Sequence, residues 1–433
     1  MPSQKLFLAT LFVFLTVASL SAQTLEVTPS QAMMDETVTI RASGLQPGEH
    51  VKLHAELLDG KENRWTSEAE FIVDEQGVVD ASKQAPLRGS YKETSAMGLI
   101  WSMTPSEKNV PAYSAPAGLA PQQISFALER NGKVVSSAQL VQRQVAAGVN
   151  TINLQGQLHG VLLLPDTKER RPGVLVLGGS EGGLRLDKAA WLASHGYAAL
   201  ALAYFHYEGL PAELKNIPLE YFLEAINWMK HRPEILPDRI AVMGTSRGGE
   251  LALLLGSATP DIRAVVAYVP ANFVRGGCCS ESGAPYAWTW QGRPIAFATP
   301  YRRFDFDNRD IQRAEIRVEN TKGPILMISG ESDGVWPSAS MADSVVDRLK
   351  HAHFVYSYQN LKYPHAGHRA GMPQIVPKKH EEMRHAISGR MMDVGGNAEG
   401  DAHSSLDAIP RVLDFLRENL MQTVPAHSET PGN

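Results

Sequence analysis

The chain predicts two folds joined end to end: an all-β sandwich, then a doubly wound, mostly parallel α/β sheet. Up to about Ala147, apolar and polar residues alternate in short runs, as in strands with one solvated face. From about Thr151 the apolar runs become continuous and rich in Val, Leu and Ile, as in strands covered on both faces. Helical patterns stand between those runs, the signature of strand–helix–strand units. At 433 residues the chain also exceeds one ordinary core, which favours two domains.

The first stretch, MPSQKLFLATLFVFLTVASLSAQT, belongs to neither fold. Lys5 gives a positive start, Leu6 to Ala18 is apolar, and Ala18-Ser19-Leu20-Ser21-Ala22 offers a small-residue processing site. The apolar run is short for a bilayer, so residues 1–22 read as an export signal. The expectation is a secreted or periplasmic protein without a stable membrane span once the signal is removed.

Residues 23–147 form the expected sandwich. TVTIRASGL (37–45), HVKLHAEL (50–57), AEFIVDEQGVV (69–79) and QISFALERNGKVV (123–135) alternate. Pro47-Gly48, Asp59-Gly60 and Asn131-Gly132 supply turns. The spacing suggests an immunoglobulin-like module. No grouping of acid, His and Ser within it looks catalytic, so its expected role is structural or substrate-framing.

Residues 148–422 form the expected α/β domain. Its buried strands are VLLL (161–164), GVLVLG (173–178), AALALAY (198–204), RIAVMG (239–244), AVVAYV (264–269), PILMISG (324–330) and FVYSY (354–358). In PLEYFLEAINWMK, Leu219, Phe222, Leu223, Ile226 and Met229 share one helical face. Residues 423–433 read as a flexible tail. A net charge of −5, with no basic stripe, argues against a nucleic-acid partner.

The pattern G-x-S-x-G occurs three times, around Ser180, Ser246 and Ser332, each after an apolar run. A nucleophile elbow needs a strand, one sharp turn carrying the serine, and a helix at once. Ser246 meets this: RIAVMG enters and GELALLLGSA leaves. Around Ser180 the glycines 178, 179, 182 and 183 make a loop, and helical sequence resumes only later. At the third copy the residue of interest is Asp333, a carboxylate at a strand tip. His368 follows in YPHAGH, after Ala366-Gly367. The order Ser246, Asp333, His368 is that of nucleophile, acid and base in the α/β-hydrolase fold.

An oxyanion hole on that fold uses the N–H after the nucleophile and another from an earlier strand-end loop. Arg247 supplies the first by position, and Gly179 and Ser180 are candidates for the second. Tyr204 and Tyr207, at a strand's carboxyl end, and Trp336, beside Asp333, are candidate substrate contacts. Core or rim packing fits Tyr204 and Tyr207 equally. Glu250 reads as a structural carboxylate. His365, His368, His380 and His385 match no closed zinc spacing, so neither metal nor cofactor is expected. The two cysteines are the adjacent Cys278-Cys279. A vicinal disulfide, a reactive pair and a plain loop feature all fit them.

Several stretches together resemble the acyl-CoA thioesterases and bile acid-CoA:amino acid N-acyltransferases. TLEVTPSQAMMDETVTIRASGLQPGEHVKLHAEL and SAMGLIWSMTP resemble that family's N-terminal β-sandwich. ALAYFHYEGLP, LEYFLEAINWMK, GTSRGGELAL, SGESDGVWPS and YPHAGH resemble its hydrolase domain, in order, and GGNAEGDAHSSLDAIPRVLDFLRENL resembles its C-terminal segment. The resemblance implies a small-molecule acyl thioester substrate, with Ser246, Asp333 and His368 as nucleophile, acid and base. Within the family a Cys nucleophile goes with transfer to amino acids and Ser with hydrolysis, so Ser246 implies water as acceptor. Two features depart from the family: the export signal, and the 271–322 region with Cys278-Cys279, Trp288, Trp290, Arg302, Arg303, Arg309 and Arg313. That region reads as a cap over the acyl pocket, an anionic-headgroup site or a surface loop.

Overall fold

The computed structural model describes residues 22–279, 285–299, 307–379 and 383–421. The expected signal (apart from Ala22), the tail 423–433, Arg302, Arg303 and His380 lie outside the described residues.

The N-terminal half is built of two sheets, one of three strands and one of seven. Strand His50–Leu58 lies between Arg64–Ile72 and Gln122–Arg130, antiparallel to both. Val51, Leu53, Ala55 and Leu57 are buried while Lys52, His54 and Glu56 are not, the one-sided burial that the alternation demands. Asn131 and Gly132, both with positive φ, turn the chain between Gln122–Arg130 and Lys133–Arg143. That is the two-residue hairpin expected of Asn-Gly.

Two expectations for this half need correction. The run 69–79 is not one strand: Arg64–Ile72 ends, the chain turns at Asp74–Gly77, and a two-residue strand Val79–Asp80 joins the other sheet. Gly77 has φ +73°, which an uninterrupted strand would not accept. A fully buried helical turn, Gly98–Trp101, also stands among these strands.

The C-terminal half holds an eight-stranded sheet. Its spatial order is Asn150–Asn153, His159–Leu164, Ala198–Ala203, Arg171–Leu177, Ile235–Thr245, Ile262–Tyr268, Ile325–Gly330, Tyr358–Tyr363. The first three pair antiparallel and the remaining neighbours pair parallel. Successive residues serve opposite layers. Val174 and Val176 pack with Trp191 and Ala408, whereas Leu175 and Leu177 pack with Phe222 and Leu255. Helices Leu186–Ser194 and Ala398–Leu416 therefore cover one face, and Leu219–Lys230, Arg247–Ala258 and Ser338–His351 the other.

The last strand is not 354–358 but Tyr358–Tyr363. It sits at the sheet edge with a single strand neighbour, so Gln359, Asn360 and Lys362 are accommodated and the continuous apolar signal is missing.

The two halves share one apolar cluster. Across it, Asp35 accepts hydrogen bonds from Trp191 Nε1 at 3.0 Å and His195 Nε2 at 2.7 Å. The Ile375 amide donates to the Met34 carbonyl at 2.6 Å, and that of Lys378 to Trp101 at 2.9 Å.

Candidate active site

Ser246 stands alone between strand Ile235–Thr245 and helix Arg247–Ala258, with φ +58° and ψ −119°. A non-glycine residue holds such a conformation only where its surroundings enforce it. The enforcement is steric. A Cβ on Gly244 would meet the Gly248 carbonyl at 1.9 Å, and one on Gly248 would meet that of Gly178 at 2.2 Å. The Ser246 amide donates to the Tyr268 carbonyl at 2.9 Å. Its side chain does not cap the helix, so the hydroxyl is left for another partner.

That partner is His368. Its Nε2 lies 2.8 Å from Ser246 Oγ, and its Nδ1 lies 2.8 Å from Asp333 Oδ2. Asp333 Oδ1 accepts from the amides of Val335 at 2.9 Å and Trp336 at 3.2 Å. The carboxylate is thus tethered by one oxygen and offers the other to the imidazole. With Nδ1–H donating to Asp333, Nε2 keeps a lone pair facing the serine hydroxyl. The Asp333 side chain is fully buried and that of His368 is 10% exposed, so water competes little for these bonds.

A third segment, which sequence reasoning missed, stitches the acid and histidine loops together. The Val394 carbonyl accepts from Gly334 N at 3.2 Å and from His368 N at 2.8 Å. Gly395 and Gly396 both take positive φ; a Cβ on the first would meet the Ser332 carbonyl at 2.0 Å. The Gly367 amide donates to Asp401 Oδ1 at 2.9 Å. The adjacent glycines at 395–396 were the available signal, since such pairs mark close backbone approach.

The oxyanion candidates fall beside the serine. Arg247 opens the helix, where its amide has no intrahelical partner. Its side chain is buried: the guanidinium donates to the carbonyls of Gly276 at 2.9 Å and Arg275 at 3.0 Å, and lies 3.3 Å from Glu250. Glu250 is fully buried and lines neither of the cavities at Ser246. It accepts from Trp288 Nε1 at 2.9 Å, and burial pushes its carboxyl up. Gly179 packs so closely that a Cβ there would lie 3.2 Å from that of Ser246. Its amide, however, donates to Glu181 Oε1 at 3.3 Å.

Two cavities meet at Ser246, and Ser180, His385 and Met392 line both. The larger, about 730 Å³, adds Arg247, Arg275, Trp336, Arg390 and the Cys278–Cys279 disulfide. The smaller, about 400 Å³, adds His368, an apolar wall of Met372, Pro373, Val376, Pro377, Met383 and Val394, and a charged side bearing Glu181, Arg185, Asp187, Arg369, Lys378 and Arg384. Tyr113 and Ala115, from the N-terminal half, complete it, which gives that half a framing part.

Of the expected substrate contacts, Trp336 lines the larger cavity and Tyr204 and Tyr207 line neither. Tyr204 is core: it is 1% exposed, donates to the Gly178 carbonyl at 2.6 Å and packs against Phe222 and Trp288. Tyr207 is exposed against His159. In the 271–322 region, Trp288 is core, and Arg309 and Arg313 are exposed and paired with Asp307 and Asp310. The cavity takes Arg275 instead. His365 is exposed, and His365, His368 and His385 belong to no metal-ligating group among the described residues.

Sheet order, elbow and the Ser246–His368–Asp333 hydrogen bonds define an α/β-hydrolase. Residues 35–156 match the acyl-CoA thioester hydrolase/BAAT N-terminal region and 217–422 the BAAT/acyl-CoA thioester hydrolase C-terminal model. The chain is 33% identical to mouse acyl-coenzyme A amino acid N-acyltransferase 1 over 92% of its length and 97% of that protein's. It is 30% identical to mouse acyl-coenzyme A thioesterase 6, covering 94% and 100%. It is also 30% identical to human bile acid-CoA:amino acid N-acyltransferase, covering 92% and 98%. The chain belongs to this family of acyl-CoA thioester hydrolases and BAAT enzymes.

Proposed function

We propose that this protein hydrolyses acyl thioesters through an acyl-enzyme on Ser246. The observation that carries the reading is the Ser246 hydroxyl, 2.8 Å from His368 Nε2, at the junction of two cavities. Ser246 Oγ attacks the acyl carbon and its proton passes to His368 Nε2. Asp333 holds the imidazole and stabilises it once charged. The tetrahedral oxyanion is held by the Arg247 amide and the Gly178–Ser180 loop. Collapse breaks the C–S bond, and the thiolate leaves with the proton from His368. Water then attacks the ester carbonyl, giving its proton to His368. The carboxylic acid leaves as Ser246 regains its hydrogen.

The apolar wall of the smaller cavity, from Met372 to Pro377 with Met383, suits the acyl chain, and the larger, with Arg247, Arg275, Arg390 and Trp336, suits a polar leaving group. Serine rather than cysteine at the elbow favours water as acceptor. The relatives named as N-acyltransferases make an amine the second reading. An oxygen ester is the third, since a serine nucleophile serves either bond. We also propose that residues 1–22 direct export. The disulfide accords with an oxidising compartment, and N-terminal sequencing of envelope-fraction protein tests this.

The deciding experiment compares matched palmitoyl thioester and oxygen-ester substrates. An oxygen-ester preference above about tenfold in kcat/KM overturns the thioesterase reading. A fluorophosphonate probe tests the nucleophile: labelling that persists in Ser246→Ala removes that serine from the mechanism.

A further inference from the structure

The Gly179 amide, one of the two candidates for the second oxyanion donor, is engaged by Glu181 Oε1 at 3.3 Å, and Arg185 fixes that carboxylate from 2.8 Å. The next residue, Ser180, lines both cavities with Ser246. Its hydroxyl has a partner no mechanism yet uses: His385, whose Nε2 lies 2.9 Å from Ser180 Oγ. Neighbouring atoms decide which of the two donates. His385 Nδ1 accepts from the amides of Ile387 at 3.3 Å and Ser388 at 3.2 Å. A ring nitrogen that accepts two N–H groups carries no proton, so the hydrogen resides on Nε2. Nε2–H therefore donates to Ser180 Oγ, and the disulfide sulfur of Cys279, 3.8 Å away, is a distant second acceptor. The Ser180 hydroxyl, having accepted, keeps its own hydrogen to give elsewhere. Burial also holds His385 below the ordinary imidazole range, which favours this neutral tautomer.

We propose that the Ser180 hydroxyl is a side-chain donor of the oxyanion hole, aimed at the acyl oxygen by His385 acting as a positioning residue. The inference rests on the reading of Ser246 as nucleophile. It assigns Ser180 a hydroxyl role where an amide was expected, and gives His385, outside the Ser246–His368–Asp333 set, a function in the reaction.

The test is a double-mutant cycle on the full chain, with thioester cleavage followed spectroscopically. Ser180→Ala lowers kcat about 100-fold with KM nearly unchanged, since the bond forms only as charge develops. His385→Ala does the same, and the double variant is no slower than Ser180→Ala alone, because one residue acts through the other. His385→Gln, whose amide reaches Oγ, restores most of kcat and keeps the result independent of misfolding. Wild-type kcat in Ser180→Ala overturns the inference. So does a loss from His385→Ala that is equally large in the Ser180→Ala background. Fluorophosphonate labelling separates the two levels. Labelling at Ser246 with unaltered Ser180→Ala kinetics removes this inference alone, and labelling elsewhere removes the nucleophile reading and this inference with it.

Discussion

The ring of His368 rests edge-on against Trp336, with centroids 4.9 Å apart and planes at 89°. Trp336 is itself pinned, its Nε1 donating to the Val269 carbonyl at 3.1 Å. The indole thus sets the plane in which the imidazole meets Ser246. Trp336→Ala is expected to lower kcat about 100-fold, the scale of an ångström's misplacement of a catalytic group. Trp336→Phe keeps an edge contact and loses far less. Steady-state kinetics on the two variants check this, and equal losses would contradict it.

Asp333 divides its oxygens between two backbone amides and one imidazole. Asp333→Asn preserves the shape but offers an NH₂ group or a neutral oxygen to Nδ1, favouring the wrong tautomer. The expected fall in kcat is about 10⁴-fold with little change in KM. Unaltered turnover would remove Asp333 from the relay.

Gly395 approaches the Ser332 carbonyl too closely for any side chain and has φ +66°. Gly395→Ala should destabilise by about 1–3 kcal/mol. It should also lower kcat, because the neighbouring Val394 carbonyl ties the histidine loop to the acid loop. Thermal unfolding and kinetics together check this. A stability loss with full activity would show that the stitch does not set catalytic geometry.

Lys188 is buried behind the elbow, where its Nζ donates to Thr245 Oγ1 and lies 3.9 Å from the Tyr268 ring centroid. Burial, aided by the charge of Arg185, lowers it from 10.5 to about 7. Between those values the unfolded chain holds a proton that the native protein has released, so stability rises with pH across the window. Lys378, lowered to about 8, adds to the same trend. Lys188→Met removes up to about one proton from the slope. Denaturant unfolding of both proteins through this range checks it, and parallel curves would refute it.

Much of the site was legible because its signals are local. Gly244 and Gly248 flank Ser246, Asp333 stands three residues beyond a strand of six buried residues, and His368 follows two small residues. What was not legible came from distant chain segments. Tyr204, at a strand end, fits pocket and core equally from its sequence; its ring is claimed by Phe222 and Trp288, which no local pattern connects to it. The strand Tyr358–Tyr363 lacked an apolar run because an edge position does not require one. His385 lies in a stretch without regular periodicity, and its importance depends on Ser180, 205 positions away. Tyr113 enters the smaller cavity from the β-rich half, a neighbour no reading of the hydrolase half alone would supply.

The meeting of two compartments at one hydroxyl has a kinetic corollary. On the proposed chemistry, the departing thiol vacates one room while the acyl group stays tethered in the other. Whatever enters the emptied room next becomes the acceptor. Turnover should therefore follow a ping-pong order, and the fate of the acyl group would be settled by the second visitor.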